Sequence, residues 1–388
     1  MSEHPARTSY PPRVMHTKRS LALGSQGTSR SILVGRARSG FFSMIASMLK
    51  PWTASLRMGR AFMTPTAPGL FDPNVCPRKA AGGLVEWSCH FERLGPSKCE
   101  PASVRHPRVL FNLPEQRREG LSDAHSLPAR FQHLGSFFWV SQLTSRLLKP
   151  KRFGRLRAML RAAVRESGLL AALSKHSPVI GMHVRHGDAC MKSETSRTAR
   201  SCEPLSAYMS TIEPYAAAIG ASTIFIATDS ERVLADARSQ FPGFTFLHIP
   251  NVTRTGLTTP APTEVLDEVI KRRARTGVGV ERTQHDALTA AVDALLLARC
   301  DVLVGKFSSG LFRAAYALAA ARRGGALPPF VSLDAPWCAD YAVPAGFNDN
   351  FPRREREARD AWTEQIDPDS FKGGATELRR AEQNTFLC

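Results

Sequence analysis

The feature that most constrains the fold is a regular alternation of strand and helix patterns in the C-terminal half of the chain. Short apolar runs of strand length alternate with longer segments whose apolar residues recur at helical spacing. The predicted strands are residues 179–184, 222–227, 244–249, 302–304 and 330–333. The predicted helices between them are residues 205–219, 231–241, 285–299 and 309–322. This alternation predicts an α/β fold with a parallel sheet and helices on both faces.

The N-terminal half is less regular. Its first 70 residues hold ten Lys/Arg and one acid, Glu3, the composition of a targeting or disordered segment. Farther along, residues 137–148 and 155–173 are predicted to be helices. We therefore expect a disordered or targeting segment, an N-terminal domain, the parallel-sheet domain and a charged tail, in the order residues 1–70, 71–172, 173–345 and 346–388.

The charge balance narrows the possible partners. The formal net charge is +18, and a basic surface suits an anionic partner such as nucleic acid, an anionic membrane or a phosphorylated substrate. No basic stripe is interleaved with aromatic residues, so nucleic acid is not expected as a partner. The sequence contains no run of eighteen apolar residues, so no membrane-spanning helix is expected either.

The cysteines and one sequon bear on the cellular compartment. The eight cysteines include no CxxC pair, so a zinc site is not expected. Cys190 and Cys202 flank a polar loop, and we predict a disulfide between them, which requires an oxidising compartment. The sequon at Asn251 also favours a secretory route.

Candidate functional residues follow from the predicted topology. In an open parallel sheet, ligands bind outside the carboxyl ends of the strands. The polar residues on or just after three predicted strands are His183, Arg185, His186, Asp188, Asp229, Ser308 and Ser309. Because parallel strands end at the same edge of the sheet, we expect these residues to form one site.

The residues on the strand ends leave two functional questions open. Ser308 and Ser309 open directly into a helix, where they could bind a phosphate, or Ser309 could only cap that helix. Arg185 could clamp a phosphate through two oxygens, or it could pair with an aspartate and support its loop. Lys306 lies in the serine loop, where it could add positive charge, although a loop lysine is usually solvated.

Three further residues carry competing interpretations. His183 lies on a strand, where it could belong to the core or contact a ligand. Asp229 could hold a sugar hydroxyl or cap the next helix. Asp293 lies within an apolar helix face, where a carboxylate needs a donor, so it could recognise a base edge or be partly exposed.

The strand-end clusters resemble three motifs of the α1,6-fucosyltransferases. Residues 181–188, Gly-Met-His-Val-Arg-His-Gly-Asp, resemble the family's His-Val-Arg-Arg-x-Asp loop. Residues 225–230, Phe-Ile-Ala-Thr-Asp-Ser, resemble its Ala-Thr-Asp-Asp strand end. Residues 301–316, together with Asp293, resemble its last motif. The differences are His186 for the second Arg, Ser230 for the second Asp and Gly310 for a Gln.

The resemblance implies a fold, a donor and a set of residue roles. The fold would be GT-B-like, with a Rossmann-like nucleotide-sugar domain and a reduced, more helical N-terminal domain on the acceptor side. The donor would be GDP-fucose, with Arg185 on the β-phosphate, His183 on the nucleotide and Asp293 on guanine. The other residues assigned to the donor pocket are His186, Asp188, Asp229, Ser308 and Ser309. Glu194 and Glu203 are both possible matches to the catalytic carboxylate, and we name Glu194 as the candidate.

The implied reaction is inverting transfer of fucose to a hydroxyl of a glycan or glycoprotein, in the Golgi or another secretory compartment. No cofactor or metal is expected, because the DxD sequence at Asp367 follows no predicted strand. Two other functions stay open. One is a transferase that uses another GDP-sugar or modifies protein hydroxyls. The other is an inactive nucleotide-sugar-binding homologue, because His186, Ser230 and Gly310 depart from the motifs.

Overall fold

A computed structural model of the chain describes residues 31–33, 40–57, 61–63, 70–72, 74–76, 87–94, 127–175, 177–186, 203–252, 266–325, 327–333 and 337. The helices are α1 (Phe41–Arg57), α2 (Gly135–Leu147), α3 (Arg155–Glu166), α4 (Leu169–Leu173), α5 (Leu205–Ile219), α6 (Glu231–Gln240), α7 (Leu266–Thr276), α8 (Val280–Leu297) and α9 (Gly310–Arg322). The strands are β1 (Ser31–Leu33), β2 (Ala61–Met63), β3 (Val179–Val184), β4 (Thr223–Thr228), β5 (Thr245–Leu247), β6 (Val302–Gly305) and β7 (Phe330–Ser332). Short 3-10 helices lie at Trp87–Cys89 and Ala129–Leu134.

The predicted parallel sheet is confirmed. Its five strands lie in the order β5-β4-β3-β6-β7, and every neighbouring pair is parallel. The six residues of the central strand β3 are all buried, as expected for a strand that has neighbours on both sides and helices on both faces. The α/β class predicted from the sequence is therefore correct, while the two-domain GT-B arrangement stays a prediction.

Side-chain alternation in β3 and β6 separates two hydrophobic cores. Ile180, Met182 and Val304 pack in the core that contains residues of α5 and α6. Val179 and Leu303 pack in the core that contains residues of α1, α2, α8 and α9. Each face of the sheet thus has its own helices, and a residue's position along the strand decides which helices it meets.

The expectation that residues 1–70 lie outside the folded body is wrong for α1, which is part of the core. Its apolar residues recur at helical spacing, and Met44, Met48 and Leu49 are fully buried. The helix packs against α2 and α9, and the indole of Trp139 on α2 donates a hydrogen bond to Thr53 on α1 at 2.8 Å. The acid-poor composition suggested a targeting segment, but the helical spacing of the apolar residues was the better signal.

The first two strands flank α1 and pair in parallel, with Ile32 opposite Phe62. The chain therefore makes a small β-α-β unit before the main sheet begins. This unit was not predicted, because both strands are only three residues long.

Two further differences concern the helices. The single helix expected over residues 155–173 is two helices, α3 and α4, because Gly168 between them adopts a left-handed conformation with φ 73°. A turn of this kind ends a helix, and glycine adopts it without steric cost. Helix α7 was not predicted from the sequence.

A disulfide joins Cys76 to Cys89, and it was not predicted either. The adjacent His90 is buried, and its Nε2 lies 3.2 Å from Oε1 of Gln284 on α8. The same Gln284 oxygen accepts a hydrogen bond from the backbone N–H of Asp72 at 2.9 Å. These contacts attach the disulfide-containing segment to α8.

Several sequence-based expectations concern residues outside the described ranges. The predicted Cys190–Cys202 disulfide and the charged tail are among them, and so is the Asp367 sequence. Along the described part of the chain, none of the helices combines the length and apolar character needed to cross a membrane. The predicted domain boundaries stay predictions.

We expect α1 to be required for stability. Leu49→Ala should lower the free energy of unfolding by about 3 kcal/mol, because it removes a fully buried side chain and leaves a cavity. Ser43→Ala on the exposed side of the same helix is the matched control and should change it by about 0.5 kcal/mol or less. Chemical denaturation measures both. Equal stability of the two variants would show that α1 is not part of the folded core.

We also expect the Cys76–Cys89 bond to be found in the protein. Mass spectrometry of an unreduced digest should detect the linked peptides, and a reduced digest is the control. Loss of the bond should lower the free energy of unfolding by about 3 kcal/mol, the value for a loop of this size in the chain-entropy model. Alkylation of both thiols without reduction would contradict the assignment. The same digest tests the Cys190–Cys202 prediction.

Candidate functional site

The site is built on the carboxyl edge of the sheet, where β3 lies between β4 and β6. Val184 pairs with Thr228, and Met182 pairs with Val304. The loops that leave these three strands therefore begin side by side. From β3 the chain proceeds to β4 and β5 on one side and to β6 and β7 on the other, so the strand order reverses at this edge, where open α/β sheets bind ligands. The strand ends that carry the three motifs therefore lie side by side, as predicted, and the roles of the residues stay predictions.

Two hydrogen bonds hold His186 against its neighbours. Its backbone N–H donates to Oδ1 of Asp229 at 2.8 Å, which joins the loop after β3 to the end of β4. Its Nε2 lies 2.7 Å from the carbonyl oxygen of Glu203. Because a carbonyl only accepts, Nε2 carries the proton and donates. One edge of the His186 ring is therefore bound to the protein and not directed to a ligand.

Lys306 is not solvated, contrary to expectation. Only 7% of the residue is exposed, and its Nζ lies 3.8 Å from Oε1 of Glu203. A loop lysine was expected to reach solvent, but Lys306 leaves β6 toward the core. A buried ammonium needs a counter-charge, and the Glu203 carboxylate supplies one.

The serine turn has the geometry proposed for binding an anion. Ser309 occupies the N-cap position of α9, yet its hydroxyl makes no capping hydrogen bond. Its backbone N–H donates to the carbonyl of Lys306 at 3.0 Å, which closes a tight turn after β6. The helix behind the turn has 13 residues, long enough to present a positive dipole end and free N–H groups. The hydroxyl of Ser309 therefore does not cap α9, so capping does not explain why a serine is present at this position.

His183 lies on β3 on the same face as α9. It is 4% exposed, and its ring lies parallel to that of Phe312 with the centroids 6.3 Å apart. Phe312 can approach the sheet because position 305 is glycine: a Cβ on Gly305 would lie 2.6 Å from the Phe312 ring. The close packing of α9 on β6 thus sets the position of the ring that His183 meets.

The environment of His183 sets its protonation state. Burial, and secondarily the charge of Arg185, lower its pKa to about 3. The imidazole is therefore uncharged at neutral pH and can interact with a ligand only through hydrogen bonds or stacking. Among the described residues its Nδ1 has no hydrogen-bond partner. A histidine that served only the core would be expected to have one.

Asp293 and Arg185 are both described by the structure, and their roles stay predictions. Asp293 is 6% exposed within α8, which packs against β3 and β4, so it is not partly exposed as the alternative required. It lies one turn before the end of α8 at Leu297, a rise of about 6 Å. Arg185 is half-buried at the end of β3, close enough to His183 for its charge to affect the imidazole.

The N-terminal helix also reaches the site. A Cβ on Gly310 would lie 3.0 Å from the Cβ of Phe42, so the first turn of α1 touches the first turn of α9. Asp188 and Glu194 lie outside the described residues, and their roles stay predictions.

One group of potential metal ligands occurs within the described ranges: Cys76, Cys89 and His90. The two sulfurs are joined in the disulfide and therefore do not present the thiolates that metals bind. At the carboxyl edge of the sheet, the described groups that could meet a phosphate are cations, hydroxyls and a helix N-terminus.

Comparisons with known proteins agree with the motifs. The profile of the α-(1,6)-fucosyltransferase N- and catalytic domains matches residues 105–263. The α-(1,6)-fucosyltransferase of Drosophila melanogaster is 26% identical over 236 residues, which are 59% of this chain and 32% of that protein. The chain therefore spans about a third of the length of this curated relative.

Solved structures of the fucosyltransferase NodZ from Bradyrhizobium are also similar to the chain. One has a TM-score of 0.42 and 16% identity, and the match covers 79% of this chain and 96% of that one. A second, of NodZ α-1,6-fucosyltransferase soaked with GDP-fucose, has a TM-score of 0.39 and 17% identity, with coverage of 75% and 93%. The family profile, the Drosophila relative and the strand-end motifs all show similarity to the α1,6-fucosyltransferases.

Proposed function

We propose that this chain transfers fucose from GDP-fucose to a hydroxyl of a glycan or glycoprotein, with inversion and without a metal. The observation that supports this best is the meeting of the three motifs at one edge of the sheet. There, Arg185 and the α9 N-terminus would hold a diphosphate, and His183 and Asp293, both buried, would recognise the nucleoside. The match of residues 105–263 to the α-(1,6)-fucosyltransferase profile makes GDP-fucose the expected donor.

The leaving group determines what the site must stabilise. As the bond to fucose breaks, negative charge develops on the GDP β-phosphate. Arg185 offers a fixed fork of N–H donors, and Ser308, Ser309 and the N–H groups of α9 add donors on the other side. These groups are in place before reaction, so they stabilise the developing charge with little reorganisation.

The nucleoside half of the donor would be recognised by uncharged and acceptor groups. Asp293 could accept hydrogen bonds from the N1–H and amino group of guanine, which a buried carboxylate does well. His183 is uncharged and could stack on the nucleotide or bond to it. Asp229 would contribute its second carboxylate oxygen, because Oδ1 already accepts from the backbone of His186.

The general base would be a carboxylate that takes the proton of the acceptor hydroxyl. Glu194 stays the candidate. Glu203 is the weaker candidate, because its carboxylate already faces the ammonium of Lys306. Glu194→Gln should therefore lower the rate of transfer much more than it lowers GDP affinity.

We further propose that the protein works in the Golgi or another secretory compartment. The Cys76–Cys89 disulfide supports this, because such bonds persist in oxidising compartments. The departures from the family motifs do not by themselves argue for an inactive homologue. At position 186 the histidine side chain hydrogen-bonds to the backbone carbonyl of Glu203.

The function is tested by measuring GDP release from GDP-fucose with a panel of glycan and glycoprotein acceptors. We expect acceptor-dependent release with GDP-fucose, and much less with GDP-mannose. The same rate is expected in EDTA, because the groups that face the phosphates carry their own charge. Binding of GDP without release for any acceptor would favour an inactive homologue. Activity lost in EDTA and restored by Mn²⁺ would contradict the metal-independent mechanism.

We expect Arg185 to be the residue whose loss lowers activity most. Arg185→Ala should reduce the rate by about 10² to 10³, the usual effect of removing one preorganised donor to developing charge. Arg185→Lys should recover only part, because lysine cannot bind two oxygens in a fixed fork. Arg232→Ala on the exposed surface of α6 is the matched control.

Thermal melting separates phosphate binding by Arg185 from support of its loop. A phosphate ligand predicts a normal melting temperature without GDP and a smaller shift with GDP. A loop support predicts a lower melting temperature without GDP. If the alanine variant melts like wild type and shifts fully with GDP, Arg185 does not bind the nucleotide.

A further inference from the structure

The structure gives Lys306 a position from which it can contribute to the phosphate site. Met182 pairs with Val304 in the parallel sheet. Two residues farther along each chain, Lys306 therefore lies beside Val184. Arg185 is the next residue after Val184. The carbonyl of Lys306 also accepts the hydrogen bond from Ser309 that closes the serine turn. The lysine backbone is thus part of the turn that would hold the phosphate.

Side-chain alternation places Lys306 opposite the serine hydroxyls. Val302 and Val304 face the core that contains residues of α5, so Lys306 at the next even position leaves the strand on that side. Its contact with Glu203, two residues before α5 begins, agrees with this direction. Ser309 instead opens α9, whose residues pack on the other face. An anion at this edge would have the α9 N-terminus on one side and Lys306 on the other.

The ion pair between Lys306 and Glu203 is weak enough for another anion to replace the Glu203 carboxylate. The 3.8 Å between Nζ and Oε1 is longer than a hydrogen bond, which places the two heavy atoms about 2.7 to 3.2 Å apart. The side chain of Glu203 is 31% exposed, whereas that of Lys306 is 9% exposed. The carboxylate can therefore return to solvent at little cost, while the ammonium needs an anion beside it.

We propose that Lys306 is a second phosphate-binding cation beside Arg185, and that Glu203 is its counter-ion when no nucleotide is bound. This inference rests on the proposed binding of GDP-fucose. On binding, the diphosphate takes the place of the carboxylate next to the ammonium. The loop of His186 stays in position during this exchange, because it is held by the backbone carbonyl of Glu203 and not by its carboxylate.

Isothermal titration with GDP and with guanosine tests the assignment. Lys306→Met should weaken GDP binding by on the order of 10- to 100-fold, the loss expected for a hydrogen bond to a charged group. Guanosine binding should be unchanged, since guanosine has no phosphate, and Lys306→Arg should retain most of the GDP affinity. Lys271→Met is the matched control, because Lys271 also pairs with a glutamate, Glu268, but on an exposed face of α7.

Glu203→Gln separates this role from a purely structural ion pair. It should lower the melting temperature without ligand, because the buried ammonium loses its counter-charge. It should also bind GDP at least as tightly as wild type and show a larger thermal shift, because the diphosphate then supplies the missing charge. If the pair is only structural, Glu203→Gln and Lys306→Met should weaken GDP and guanosine binding alike.

The outcomes distinguish this inference from the proposed function. Wild-type protein that does not bind GDP contradicts both. Wild-type protein that binds GDP and a Lys306→Met variant that binds it equally well contradict only the role of Lys306. If Lys306→Met does not fold, Lys306→Arg and Glu203→Gln decide: a Glu203→Gln variant that loses GDP affinity overturns the inference.

Discussion

The parallel pairing of β3 with β6 is the contact on which the site depends. It places the loop of Arg185 beside the loop of Ser309, although more than a hundred residues separate them in the chain. The pairing needs close approach: a Cβ on Gly181 would lie 2.9 Å from the Cβ of Cys300. The side chain of Asp301 also accepts the first backbone N–H of β3 at 2.9 Å. Both contacts hold β6 in register at the end of the strands opposite the site, so the carboxyl ends meet.

Burial of charged and polar groups gives this edge its chemical character. The ammonium of Lys306 and the imidazole of His183 are both removed from water. Burying such groups costs free energy unless they are paired with an opposite charge or are themselves uncharged. The structure shows one example of each. Glu203 faces the ammonium, and the pKa of His183 is lowered so that the ring stays uncharged. A site that is already desolvated strengthens the interaction of its cations with a diphosphate.

The N-terminal helix connects this edge to the rest of the chain. Helix α1 packs on α2 and α9, and Phe42 in its first turn lies against Gly310 in the first turn of α9. The ring of Phe41 stacks on those of Trp87 and Phe91, close to the Cys76–Cys89 bond in sequence. The order of the N-terminal part therefore bears directly on the position of the serine turn.

The sequence by itself determined the strands, the helices and the residues at the strand ends. Those features depend on local periodicity and on the topological rule for parallel sheets. From β3 to β7, the strands and all the helices except α7 were predicted. The roles of α1, of the Cys76–Cys89 bond and of Lys306 were decided only by the tertiary structure. Each depends on a partner distant in sequence, so no local pattern reveals it: α9 for α1, Gln284 for the disulfide segment and Glu203 for Lys306. A lysine in a loop is solvated by default, and only the packing of β6 beside β3 and α5 buries this one.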